Sequence, residues 1–248
     1  MHVNDEKHLT FVYKTIKEKI AYRNSLETCP FCNREELEDI IEIDGPLILL
    51  KNKFPSLADT CQLVLVETEN CSESILTYSN EHLRKLIKFG IDHWLEMEHS
   101  GDYKSVVFFK NHGPLSGGSM DHSHMQIVGM KNIDYKENIR DEIFEGIEIH
   151  KEGASLINIS TKPNACSTEI NIITRPRDDN YIADHLQILV NYIMKQSSSY
   201  NLFFYSWNNS IICKIVARWV TSPFIIGYSI PHDSNRIQKT AEDLRALF

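Results

Sequence analysis

One order of elements occurs twice along this chain. QLVLVE at 62–67 is a strand-length apolar run, and a stretch with helical periodicity follows from Ser79 to about residue 97. Two more strand-like runs close the first copy, SVVFF at 105–109 and residues 122–128. The second copy begins with EINIIT at 169–174. It continues with a helix over about 182–195 that turns Leu186, Leu189, Val190, Ile193 and Met194 inward. NLFFYSW at 201–207 and IICKIVARW at 211–219 complete it, joined by a short Asn-Asn turn. Such a repeat predicts an α+β protein of two related halves, with antiparallel sheets carrying packed helices. The halves are placed at residues 1–150 and 151–248. The glycine-rich connection between the last two strands of the first copy shrinks to about three residues in the second. The second half is therefore expected to be degenerate, with any chemistry kept in the first.

Other segments are read more coarsely. Residues 5–23 carry Leu9, Val12, Ile16 and Ile20 at helical spacing. IIEIDGPLILL at 40–50 reads as a hairpin turning at Asp44-Gly45, and Ser79 is placed as the N-cap of the long helix. Residues 130–166 are polar and charged, and are taken as a connector with one helix. The net charge is −8 and no lysine/arginine stripe is visible, which argues against a nucleic-acid partner. No apolar run approaches the roughly 20 residues that span a bilayer, and the charged first twenty positions lack a signal-peptide core. The expectation is a cytoplasmic protein without a membrane partner. In that compartment the six cysteines point to metal ligation or burial before disulfides.

The chemistry concentrates in NHGPLSGGSMDHSHMQIVG, residues 111–129. Side chains alternate faces along a strand, so His122, His124 and Gln126 would share one face while Ser123, Met125 and Ile127 take the other. The preceding loop has little bulk. Gly113, Gly117 and Gly118 let a ligand approach the main chain, whose N–H groups, with the Ser119 hydroxyl, suit phosphate oxygens. It is not a Walker loop, having neither the lysine nor a following helix. CPFC at 29–32 can hold zinc through Cys29 and Cys32, or act as a redox pair. Cys61, Cys166 and Cys213 read as buried or inert. Lys214 and Arg218, four apart on a strand, share a face and could meet a phosphorylated co-substrate. His112 stands beside the loop, and Arg175-Pro176-Arg177 reads as a solvated basic turn.

The spacing Asn111, Gly117, Ser119, His122, then His-x-His-x-Gln resembles galactose-1-phosphate uridylyltransferase and its relatives, the transferase branch of the histidine-triad (HIT) superfamily. The resemblance covers about residues 27–130. It implies a HIT-like fold of two βαββ-type halves. It also implies covalent catalysis, with His124 as the nucleophile that carries a nucleoside monophosphate and Gln126 in place of the hydrolases' third histidine. Asn111, Gly117, Gly118 and Ser119 would position phosphates. Asn52-Lys53-Phe54 resembles the segment whose Asn52 and Phe54 would line a nucleoside pocket. A zinc site is also implied. Cys29 and Cys32 would be joined by His122 and by Cys71, which stands in ETENCS at 67–72 where the family usually has histidine.

The implied activity moves a nucleotide from a nucleotide or nucleotide-sugar donor to a phosphorylated acceptor. A neutral imidazole suits the attack near pH 7, and a glutamine amide can donate to a phosphoryl oxygen without activating water. Rival readings are a dinucleoside polyphosphate phosphorylase or nucleotide hydrolase on the same residues, and a non-catalytic nucleotide- or zinc-binding regulator. Monomer and homodimer are both compatible with the sequence.

Overall fold

A computed structural model describes residues 8–164, 168–176 and 178–248 of the chain. Among the described residues are ten strands: β1 (Ile40–Asp44), β2 (Leu47–Lys51), β3 (Thr60–Val66), β4 (Ser105–His112), β5 (His124–Met130), β6 (Gly146–Glu152), β7 (Ser155–Ser160), β8 (Glu169–Thr174), β9 (Tyr200–Trp207) and β10 (Ser210–Ala217). The helices are α1 (Tyr13–Ser25), α2 (Asn80–His99), α3 (Asp179–Met194), α4 (Pro223–Tyr228) and α5 (Ile237–Arg245). Two compact units result. One takes the chain up to Ser72 with Gly90–Phe108 and His122–Asn138; the other takes Glu73–Phe89, Phe109–Asp121 and Ile139–Phe248. The fold is α+β, as expected, and these strand pairs are antiparallel: β1–β2, β2–β3, β3–β5, β6–β7, β7–β8, β8–β10 and β9–β10.

In the first unit the strand order is β1-β2-β3-β5-β4, and in the second β9-β10-β8-β7-β6. The hairpin β1–β2 closes on the pair Asp44↔Leu47, so the turn is Gly45-Pro46, one residue beyond its expected place. Gly45 supplies the positive φ of 63° that the two-residue turn demands. One face of the first unit's sheet is dry. Leu65, Met125, Ile127 and Trp94 are all fully buried there, and the Trp94 indole N–H donates to the Val106 carbonyl at 2.9 Å. Helix α2 starts where the sequence placed it, with the Ser79 hydroxyl accepting from the His82 N–H at 3.2 Å.

Three expectations are corrected. The first helix begins at Tyr13, with no residue fully buried, because Thr10 to Val12 run extended and bond to Ser56 and Ala58. Leu9 and Val12 therefore lie outside it, and residues 5–7 lie outside the described residues. The 130–166 connector holds short 3-10 turns and the hairpin β6–β7 rather than an α-helix. Its alternation of apolar residues, GIEIHKE then SLINIS around Gly153 with φ 57°, was hidden by flanking charge. Finally, β5 begins at His124, so His122 sits at a bend just before the strand rather than within it.

The register makes the internal repeat explicit. One residue past the first hairpin's closing pair runs a row Ile48↔Val66↔His124 across β2, β3 and β5. One residue past the second hairpin's closing pair runs Leu156↔Ile173↔Ile212 across β7, β8 and β10. The next rows on the same faces are Leu50↔Val64↔Gln126 and Asn158↔Asn171↔Lys214. Ile212 thus occupies the position of His124, and Lys214 that of Gln126. Ile212 packs with Ile143 and Phe144 in a buried apolar cluster, and Lys214 on the same face is buried as well.

Candidate active site and metal centre

Four potential metal ligands converge in the first unit. The sulfurs of Cys29, Cys32 and Cys71 and the Nδ1 of His122 all lie within 4.8 Å of one another. Cys32 and Cys71 are 3.1 Å apart, and His122 Nδ1 is 3.5, 3.6 and 3.1 Å from Cys29, Cys32 and Cys71. A tetrahedral zinc ion with ordinary bond lengths requires edges of about 3.8 Å between sulfurs and about 3.5 Å from sulfur to nitrogen. The sulfur–nitrogen distances match that shell to within about 0.4 Å, whereas the Cys32–Cys71 edge is about 0.7 Å shorter. His122 Nε2 lies 2.9 Å from the Thr68 carbonyl. A carbonyl only accepts, so Nε2 carries the proton and Nδ1 turns its lone pair to the sulfurs, the usual outer support of a ligating histidine.

The thiols favour a cation between them. Cys71 is exposed as a residue, but its sulfur faces the other donors, and desolvation followed by the hydrogen bonds and charges of Cys32 and Cys29 pushes its thiol up to about 12. The hydrogen bond from Cys71 holds the Cys32 thiol below its ordinary value. One thiolate is therefore stabilised at the expense of the next. A bound divalent ion would lift that conflict by ionising all three.

The nucleophile candidate stands beside this cluster on β5. His124 and Gln126 alternate on the face that carries Val64, Val66, Ile48 and Leu50, with Phe31 and Leu37 laid over those four. Phe31, the residue between Pro30 and Cys32, touches both imidazoles, with ring centroids 5.7 Å from His122 and 5.7 Å from His124. Sequence reasoning missed this role, although Phe31 lay inside the motif it singled out. His124 Nδ1 lies 2.8 Å from the His122 carbonyl. The same donor argument puts the proton on Nδ1 and the lone pair on Nε2. Ser123 is pinned in turn, its carbonyl accepting from the Glu67 N–H at 3.2 Å. His124 is 8% exposed and Gln126 half-buried.

The glycine loop lies within the second unit. Gly113 and Gly117 have φ of 81° and 86°, conformations that favour glycine. A Cβ on Gly113 would also fall 2.3 Å from the Ser198 carbonyl oxygen. The loop closes on itself through the Ser116 hydroxyl, which donates to the Gly113 carbonyl at 2.7 Å and accepts from the Gly118 N–H at 3.3 Å. Gly117, Gly118 and Ser119 are exposed at its tip. Asn111 accepts a 2.6 Å hydrogen bond on its Oδ1 from Asn201 of β9, a residue no sequence signal pointed to because it stands 90 positions away. His112 stacks on Tyr200 at 4.8 Å.

Other expectations divide. Asn52 Oδ1 accepts from the Phe54 N–H at 2.9 Å, forming a turn, and Phe54 packs on Tyr22 at 5.1 Å. Lys214 does not join Arg218 on an open face. It is 2% exposed and donates to Glu169 at 2.9 Å and to the Ile143 carbonyl at 2.7 Å. Arg218 lies past the end of β10 and bonds to Asn201 instead. Cys213 is buried and Cys61 half-buried, whereas Cys166 and Arg177 lie outside the described residues. No helix among the described residues is long and apolar enough to cross a membrane.

Residues 11–133 match the N-terminal domain, and residues 136–248 the C-terminal domain, of a family described as domain of unknown function DUF4931. The crystal structure of a DUF4931 family protein from Bacillus cereus is 46% identical, with a TM-score of 0.78 over 85% of this chain and 99% of that one. An ADP-glucose phosphorylase from Arabidopsis thaliana, solved with ADP-glucose bound, superposes with a TM-score of 0.72 at 15% identity, covering 91% of this chain and 92% of its own. A uridylyltransferase superposes with a TM-score of 0.69 at 14% identity, covering 89% and 91%. At those identities the likeness is one of fold, and it is the HIT-like fold that the histidine motif implied. No curated protein matches the sequence at a significant level.

Proposed function

The chain belongs to the DUF4931 family, and for it we propose a nucleotidyltransferase that works through a nucleotide covalently held on His124. The reading is carried by one observation. The carbonyl of His122 accepts the His124 Nδ1 proton, which puts the ring's lone pair on Nε2, the atom that would attack, on a strand whose start is tied to the cysteine cluster. The Nε2 lone pair forms a bond to the α-phosphorus of a nucleoside diphosphate-type donor. The bond to the bridging oxygen breaks, and the departing phosphate takes its electron pair without needing a proton. Nδ1 keeps its hydrogen throughout, held by the His122 carbonyl. An oxygen of a second, phosphorylated substrate then attacks the phosphorus, and the P–N electrons return to Nε2. Covalent transfer splits one difficult displacement into two.

Gln126 would donate its amide N–H to a phosphoryl oxygen as charge develops, without acting as a base toward water. Asn111, Gly117, Gly118 and Ser119 would hold phosphates, and Asn52 and Phe54 the nucleoside. Cys29, Cys32, Cys71 and His122 would bind zinc, whose contribution is structural: it closes the loop that lays Phe31 on His124. Residues 1–150 would carry this chemistry, with 151–248 as the degenerate half. A cytoplasmic setting accords with the three free thiols of the cluster.

Incubation with radiolabelled dinucleotides and nucleotide sugars separates the readings. Transfer of label to a sugar phosphate is expected. Turnover supported by inorganic phosphate alone would make the protein a phosphorylase, and release in water with no acceptor would make it a hydrolase.

A further inference from the structure

We propose that Arg218 and Asn201 form a polarity relay that orients Asn111, so that Asn111 presents an N–H donor to a phosphoryl oxygen. This deepens the nucleotidyltransferase reading and rests on it. Arg218 Nη1 lies 2.7 Å from Asn201 Oδ1. A guanidinium has donors only, so it fixes which end of the Asn201 amide is oxygen. The other end is then NH2, and its surroundings agree. It faces three acceptors, Asn111 Oδ1 at 2.6 Å, the Ser116 carbonyl at 3.1 Å and the Lys110 carbonyl at 3.3 Å. With its oxygen engaged by Asn201, the Asn111 amide has its own NH2 as the end left to offer.

A direction set by one cation therefore passes through two amides and emerges as a donor. That polarity suits an anion and opposes a cation, and each bond polarises the next. Asn201 is 1% exposed, so its amide has no water to take a misplaced partner. The relay also shapes the loop, since the Ser116 carbonyl it holds belongs to the turn whose hydroxyl binds Gly113 and Gly118. The stretch 111–121 contains no lysine or arginine of its own. Arg218 thus acts on the ligand through Asn201, as a positioning residue.

Asn201→Asp separates positioning from stability. The carboxylate accepts from Arg218 more strongly than the amide did, but it cannot donate, so Asn111 must turn its NH2 inward and its oxygen outward. Asn201→Leu removes the donors without adding charge. Both variants are expected to weaken binding of ADP and UDP at least tenfold by calorimetry. They should speed hydrogen exchange of the 111–121 amides at least tenfold while β8 and α3 exchange as in the wild type. Arg218→Lys keeps the donor-only head and should bind within threefold of wild type, whereas Arg218→Met should lose at least fivefold. Wild-type affinity in Asn201→Leu or Arg218→Met, or unchanged exchange of the loop in Asn201→Asp, would overturn the relay. If wild-type protein binds neither nucleotide, the nucleotidyltransferase reading falls, and unchanged loop exchange would still refute the relay on its own ground.

Discussion

Cys71 stands where the pattern this chain resembles usually has histidine, and its position suits the same ligand role. Its sulfur reaches the same cluster that a histidine at that position would reach, 3.1 Å from both Cys32 Sγ and His122 Nδ1. A thiolate and an imidazole are both good zinc ligands. Cys71→His should therefore keep one equivalent of zinc, while Cys71→Ser should bind it roughly tenfold or more weakly, read by competition with a chromogenic chelator. Retention of full affinity in Cys71→Ser would remove it from the ligand set. Phe31 and Asn201 mark the other side of residue-level reasoning. Phe31 touches both imidazoles and Asn201 the Asn111 amide, one from within a named motif and one from a remote strand, and a linear string records neither contact.

At the scale of elements, periodicity served well wherever burial was one-sided. Helix α3 begins three residues before its spacing put it, because its interior positions recur at three to four residues, whereas β8, buried along nearly its whole length, was legible as a short apolar run. Periodicity was right only in part at α1, where a helix forms at Tyr13–Ser25 but Leu9 and Ile20 are exposed and Val12 and Ile16 half-buried, and it missed β6–β7, where a real alternation is masked by glutamate and lysine on the outer face. The site followed the same division. The alternation of His124 and Gln126 was legible, whereas the bend that releases His122 toward the cysteines was not, since a residue before a strand looks like one within it. Packing between elements yields a direct test. Gly90 of α2 sits where a Cβ would be 2.5 Å from the Phe108 ring of β4. Gly90→Ala should cost about 1–3 kcal/mol in urea unfolding despite the better helix propensity of alanine. Wild-type stability would show that Phe108 moves freely.

Across the whole molecule, the repeated register sets the proposed chemistry of the first copy against a second copy that carries other residues at the matching positions. The position of His124 is filled by Ile212, and that of Gln126 by Lys214, buried against Glu169. Removing one member of such a pair strands the other's charge. Lys214→Ala should destabilise the fold by about 3–5 kcal/mol, and replacing both Lys214 and Glu169 with apolar residues should recover most of that. Neither change should alter the reactivity of His124 in protein that remains folded, so full stability in Lys214→Ala would contradict the structural role assigned to this pair. The account as a whole turns on a single covalent bond. Intact-mass measurement after mixing with a panel of nucleotide sugars and dinucleotides, followed by peptide mapping, examines it directly. The expected result is a gain of one nucleoside monophosphate on His124, absent in His124→Asn that keeps its zinc. An unmodified wild-type protein that nonetheless turns the same compounds over, or an adduct on another residue, would contradict it.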